Sequence, residues 1–280
     1  MMGKANTKTL ADAMKEIEEV TTSTTLVPNI PVYARLDGRC FHTFCRGLDK
    51  PFDKCFMELM RETTQYLHSK TGAVISYVQS DEISLGFLTP TAMPFERRLF
   101  KLQSVFAGMA SSYFCINGLT TKLKEKIERQ CPHFDCRVCQ MSLEDMTKMF
   151  LFRANDCLKN SVSMVAQANF SHKRLQNANT NDRKRMLLEE KGIDYDRDFS
   201  EQYRYGSYFR KVSEMKRLTD EELERIPPDK RPESGLVQRN LVSEITFGLP
   251  LSRIANGRDV LFNGAEPIDI FTTENPGTPG

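Results

Sequence analysis

The sequence predicts an α+β fold of the ferredoxin-like, split βαβ kind: an antiparallel sheet with helices on one face, followed by a mainly helical C-terminal extension. Three observations predict it. Between residues 30 and 141 the elements read strand, helix, hairpin, helix, strand. Beyond Ser142 the chain turns mainly helical and polar. The composition, 40% hydrophobic and 27% charged over 280 residues, is that of one large globular domain or a domain with an appendage.

Residues 9–20 read as a helix, and a Thr-rich connector carries the N-terminal segment to residue 29. The run 30–36, IPVYARL, is rich in β-formers and stops abruptly at Asp37-Gly38. Pro51 and Asp53 offer a helix start. Phe56, Leu59, Met60, Thr63 and Leu67 then recur at helical spacing until Thr71-Gly72. Runs 73–79 and 83–88 are strand-like and are split by Ser80-Asp81-Glu82, which is hairpin spacing. A second amphipathic helix covers 95–116 and ends at Asn117-Gly118; a fourth strand covers 134–141. The expected organisation is a leading helix and connector at 1–29, a core at 30–141, a helical extension at 142–262, and a loose tail at 263–280 that ends in Asn275-Pro-Gly-Thr-Pro-Gly280.

No apolar run approaches the roughly 20 residues of a membrane span, and the first residues carry charge where a signal peptide is apolar. A cytoplasmic location is expected by elimination, with no membrane partner. The net charge of +2, from 39 basic and 37 acidic residues, neither demands nor forbids nucleic acid, because a groove needs local charge. Basic residues concentrate at His172-Lys173-Arg174, at Arg183-Lys184-Arg185 and between Arg204 and Arg217. Each cluster also fits a solvated helix face. The eight cysteines are expected as free thiols. Cys131, Cys136 and Cys139 have zinc-like spacing, but a second pair is missing and a strand would send Cys136 and Cys139 to opposite faces.

Asp37 closes the first strand, and Asp81 and Glu82 occupy the turn between the second and third. In this topology strands one and three are central neighbours, so the acidic positions converge at one end of the sheet. Phosphoryl transfer uses such an arrangement: two hard cations held by carboxylates activate the attacking oxygen and shield the leaving one, and Mg²⁺ prefers these oxygen ligands. The residues alone leave a second reading open, since acidic residues in hairpin turns and Asp-Gly dipeptides are ordinary turn chemistry.

Five motifs then carry a resemblance to a known family. Arg35-Leu36-Asp37-Gly38-Arg39, with Phe41-His42 and Phe44, resembles the arginine-x-aspartate-glycine-arginine signature of the tRNA(His) guanylyltransferases. Lys50-Pro51-Phe52-Asp53 is similar to their lysine-proline-x-aspartate segment, and Gln79-Ser80-Asp81-Glu82-Ile83-Ser84 to their second metal motif. Phe95-Glu96-Arg97-Arg98 with Lys101, followed by Ala110-Ser111-Ser112-Tyr113, resembles the helix after it, and Phe134-Asp135-Cys136-Arg137-Val138 the last strand. Farther on, Asp156 to Ser161 stands where the eukaryotic members carry a histidine and two consecutive asparagines. Leu158 takes the histidine's place, and only Asn160 of the asparagine pair is kept, Ser161 replacing the second. That departure resembles the guanylyltransferase-like branch, whose members repair truncated tRNA 5′ ends.

The resemblance implies a polymerase-type palm that adds nucleotides to a tRNA 5′ end in the 3′–5′ direction, with two Mg²⁺ ions, ATP and GTP or other nucleoside triphosphates. It implies Asp37 and Asp81 as bridging metal ligands, the Gly38 carbonyl as a further one, and Glu82 as a ligand or an orienting group. It places Arg35, Arg39, Phe41, His42, Lys50, Asp53 and Ser80 at the nucleotide, with a packing role also open for Phe41. Arg98 and Lys101, three apart on one helical face, would meet a polyphosphate or the RNA 5′ end. RNA is expected across the C-terminal half, with Arg153, Lys159, Asn160, Lys173, Arg174 and Arg183 as contacts. From Tyr203 to Lys211 aromatics interleave with cations, as stacking on bases would require and as inward packing would also produce. A tetramer built from dimers is implied as well. The rivals are a nucleotide cyclase on the same palm and a tRNA-binding relative without catalysis.

Overall fold

The structure, a computed structural model, describes residues 8–88 and 93–272. Helix α1 (Leu10–Thr22) opens with a capping box between Thr9 and Asp12. Strand β1 (Val32–Gly38), the short helix α2 (Phe41–Phe44) and the long helix α3 (Lys54–Thr71) follow. Then come β2 (Ile75–Gln79), β3 (Glu82–Phe87), α4 (Leu99–Gly118), α5 (Lys124–Gln130) and β4 (Phe134–Gln140). The C-terminal half comprises α6 (Leu143–Asn169), α7 (Thr180–Lys191), α8 (Tyr195–Asp198), α9 (Glu201–Tyr205), β5 (Ser207–Arg217), α10 (Asp220–Glu224), β6 (Leu236–Ile245) and α11 (Gly257–Asn263).

The sheet is antiparallel in the order β4-β1-β3-β2-β5-β6, so the first four strands have the expected ferredoxin-like arrangement. Alternate residues of β1 serve two cores. Val32, Ala34 and Leu36 face α3 and α4 with Leu59, Met60, Phe106 and Phe114. Tyr33 faces the other way, with Tyr77, Met146 and Phe150, and α6 covers that side. The helices of residues 30–141 thus lie on one face, as expected, and the extension seals the second.

Two features differ from the expectation. The extension is purely helical only as far as Tyr205; β5 and β6 then lengthen the sheet, with α10 between them and α11 after. Strand β5 pairs with β2 only at Ser207–Phe209 and with β6 up to Arg217, so most of the hairpin projects as a free ribbon. Within it Tyr208 and Phe209 are buried, which decides the interleaved aromatic stretch largely in favour of packing. The tail is tied down as far as it is described: Asp269 bridges Ile254 and pairs with Arg253. Asn275 to Gly280 lie outside the described residues. Cys136 packs on the α3–α4 side, whereas the Cys139 thiol lies against the Tyr33 carbonyl, so the two take opposite faces.

Candidate active site

The register of the sheet sets the acidic end. Asp37 stands directly opposite Glu82 on β3 and Asp135 on β4, and directly opposed residues share a face. Three carboxylates therefore stand abreast on the α6 side. Asp135 belongs to the motif of residues 134–138, and only its register opposite Asp37 marks it as part of the acidic end. The end of β1 is pinned from both sides: Gly38 N–H donates to the Asp81 carbonyl at 3.0 Å, and Arg39 N–H to the His133 carbonyl at 3.0 Å. Gly38 is required here because a Cβ would stand 2.5 Å from the Phe41 ring.

The β2–β3 turn is only two residues, Ser80 and Asp81, with Ser80 in the left-handed region at φ 48°. It directs Asp81 into a cavity of about 460 Å³. Phe41, His42, Lys50, Asp53, Ser80, Asp81 and Asn160 all line that cavity, so six motif positions of the first eighty-odd residues meet α6, which also contributes Cys157, Ser161, Met164 and Gln167. Phe52 and Tyr203, stacked at 4.8 Å and 16°, form an aromatic wall.

The charges are compensated unequally. Arg153 grips Glu82 with two hydrogen bonds, both 2.6 Å, and Arg35 stands 3.5 Å away. Arg35 also lies 3.7 Å from Asp37. Asp81 forms no ion pair with lysine or arginine among the described residues. Burial, together with the charge of nearby Asp37, pushes the Asp81 carboxyl above the ordinary carboxylate range, against hydrogen bonds from its own backbone and Ser80. Burial likewise raises Glu82, with Arg153 opposing.

Several expected residues hold different posts. Asp53 is the N-cap of α3: it accepts from Phe56 N–H at 3.0 Å and Asp49 N–H at 3.1 Å, and Lys122 lies 2.8 Å away. Burial would raise this carboxyl, but Lys122 and the two N–H donors hold it below its usual range. Phe41 is 1% exposed among Phe44, Phe56, Phe114 and Phe134, so packing is its role. Arg153, expected on the RNA side, is committed to Glu82 and to Asp156 at 3.1 Å. Arg39 does not line the cavity; its guanidinium lies 3.4 Å from His133 Nε2. Ser161 is buried and bonds to the Tyr195 hydroxyl and the Arg204 carbonyl, while Leu158 packs between α6 and α7.

Arg98 and Lys101 are not brought to this cavity. Thr25 bridges Arg98, and Leu26 N–H reaches the Arg97 carbonyl, beside the Val32–Phe87–Gln140 end of the sheet. That end lies about 20 Å along the strands from the carboxylates. The physical reason is the direction of β3, which carries the chain away from the site before α4 begins. Lys159, Lys173 and Arg174 are exposed, Arg174 pairing with Glu190 at 2.7 Å, and Arg183 bonds to Ser163.

A family model described as tRNAHis guanylyltransferase matches residues 11–142. A Mus musculus protein named "Probable tRNA(His) guanylyltransferase" is 30% identical, over 81% of this chain and 79% of its own. The Neurospora crassa tRNA(His) guanylyltransferase is 27% identical over 74% of this chain and 77% of its own. A bacterial tRNA(His) guanylyltransferase-like protein solved in complex with ATP is 34% identical, with a TM-score of 0.64 over 73% of this chain and 87% of that one. One solved with GTP is 29% identical, with a TM-score of 0.60 over 84% and 90%.

Proposed function

The chain belongs to the tRNA(His) guanylyltransferase family and is a nucleotidyltransferase; from that premise we propose that it extends tRNA 5′ ends in the 3′–5′ direction. The observation that carries the proposal is the convergence of His42, Lys50, Ser80, Asp81 and Asn160 on one cavity beside Asp37. ATP and GTP bound to the bacterial relatives support nucleoside triphosphates as substrates.

Two in-line displacements follow. An oxygen of the RNA 5′-phosphate attacks the α-phosphorus of ATP and expels pyrophosphate. The 3′-hydroxyl of the incoming nucleotide then attacks the activated 5′-phosphorus and expels AMP. Lys50 offsets phosphate charge, the Phe52–Tyr203 wall accommodates a base, and Asn160 offers an amide to the RNA or the sugar. Glu82, held by Arg153 and Arg35, positions the strand end rather than reaching substrate.

Asp37, Asp81 and the Gly38 carbonyl fit Mg²⁺, because their oxygens are hard donors and Asp81 lacks a cationic partner among the described side chains. Bound there, Mg²⁺ would lower the pKa of the attacking hydroxyl and neutralise charge on the leaving group. A tetramer built from dimers belongs to the same proposal and is tested by sedimentation.

Substrate choice follows from Leu158, which packs between α6 and α7, and from Ser161, which lines the cavity with its hydroxyl engaged by Tyr195. The enzyme is expected to favour 5′-truncated tRNAs, extended by pairing to the opposite strand, over untemplated addition of G to intact tRNA(His). The test is competition between 5′-monophosphorylated truncated tRNA and intact tRNA(His), with incorporation scored per nucleotide. Dominant G addition to intact tRNA(His) overturns the preference, and a cyclic product from GTP alone overturns the function.

A further inference from the structure

The connection between α6 and α7 borders a second, solvent-open cavity of about 270 Å³, lined by Gln167, His172, Leu175, Gln176, Asn177 and Arg183. Gln167 also lines the larger cavity, so the two adjoin through one side chain. Asn160 and Gln167 lie two turns apart on α6, a separation of about 10 Å.

Apart from Leu175 and Arg183 the lining is exposed, so its polar groups are open to a ligand. The side chains of Gln167, His172, Gln176 and Asn177 make no hydrogen bond or ion pair among the described residues. Arg183 is anchored through one nitrogen to the Ser163 hydroxyl, while its Nε is buried without a partner. Leu175, 4% exposed, supplies an apolar floor. Each carboxamide presents donors and an acceptor side by side, the complement of a nucleobase edge. An imidazole stacks on a base, as aromatic side chains do on unpaired RNA. One partly anchored cation among three amides is poorly suited to a phosphate, which draws clustered cations, and well suited to a base.

We infer that this cavity is a subsite for an unpaired nucleobase of the RNA strand opposite the growing 5′ end. Next to a recessed 5′ end the growing strand is paired, so an unpaired base within one or two nucleotides belongs to the opposite strand. The inference rests on the function proposed above and adds a contact that the main cavity does not make.

The test uses 5′-monophosphorylated hairpin RNAs with a recessed 5′ end and a short 3′ overhang whose templating nucleotide always keeps its base, the nucleotides beyond it either carrying bases or being abasic with the same phosphates. KM for RNA should be about tenfold lower with bases present, as expected for stacking and edge contacts. His172→Ala and Gln176→Ala should abolish that difference while leaving kcat and the KM for ATP unchanged. Equal KM for the two RNAs, or variants that keep the difference, overturns the subsite. If wild-type protein extends neither RNA, the proposed function falls, and equilibrium binding of the same two RNAs then decides. Base-dependent affinity lost in both variants supports the subsite, and any other result overturns it.

Discussion

At the Val32–Phe87–Gln140 end of the sheet the strands close over apolar side chains, whereas at the Gly38–Glu82–Phe134 end carboxylates stand abreast on three strands. Like charges directly opposed across strands are destabilising. The apolar end recovers free energy through burial; the acidic end does not. Arg153 and Arg35 relieve Glu82, and Asp53 in the same cavity is absorbed by a helix cap and Lys122. Asp81 is left uncompensated by lysine or arginine among the described residues. The difference separates two tasks within one sheet, and substitutions at the two ends should therefore fail in different ways.

The largest effect is expected at Asp81. Asp81→Asn keeps the turn and removes a charge that Asp37 repels, so thermal stability should hold or rise. Nucleotide addition should fall on the order of a thousandfold or more, because both displacements lose charge compensation. Near-normal turnover in a folded variant would erase the distinction between the ends. Phe87→Ala tests the opposite end. Phe87 is 3% exposed and stacks on Phe106 at 6.0 Å. Its truncation should cost about 3–5 kcal/mol in denaturant unfolding, with kcat per folded molecule unchanged.

Most of the acidic end was legible in the sequence, because hairpin spacing and strand ends fix where Asp37, Asp81 and Glu82 must lie. The role of Asp53 was not, since a helix-capping aspartate and a ligand look alike until Lys122 is seen beside it. Arg153 read as an RNA contact for the same reason: its partner Glu82 is distant in sequence. The β5–β6 hairpin escaped because β5 is buried over its first three residues and mostly exposed thereafter, leaving no sustained alternation to read.

Between the two ends lies His68, buried on α3, bonded through Nδ1 to the Ser76 hydroxyl at 2.7 Å, with Nε2 unpartnered. Burial, aided by the Lys211 charge, pushes its pKa down to about 4 from 6.5. The unfolded chain therefore binds a proton between these values that the folded chain refuses. The stability is fully present above pH 6.5 and is lost as pH falls toward 4, by up to about 3 kcal/mol. His68→Gln keeps a hydrogen-bonding group for Ser76 and removes the titration. Its stability should vary less with pH over that window than the wild type's, and parallel profiles for the two proteins would exclude His68 as the source.

The smallest effect is expected at Lys101, where sequence motif and position in the fold disagree. The motif puts Lys101 near a polyphosphate; the fold puts its helix start about 20 Å along the strands from Asp81. Lys101 is exposed, and its ammonium lies 5.5 Å from the Phe95 ring centroid. Exposed cations of this kind contribute less than about 1 kcal/mol to folding. Lys101→Ala should therefore leave stability within that margin. If each cavity works with the residues of its own subunit, the affinity of the protein for ATP should also stay within about twofold, measured by equilibrium binding at fixed ionic strength, since charges that far apart across water are screened. A several-fold loss of ATP affinity with unchanged stability would break that half of the comparison. It would mean that the apolar end of one copy supplies a cation to the acidic end of another, and dilution to monomer would then have to reproduce the same loss.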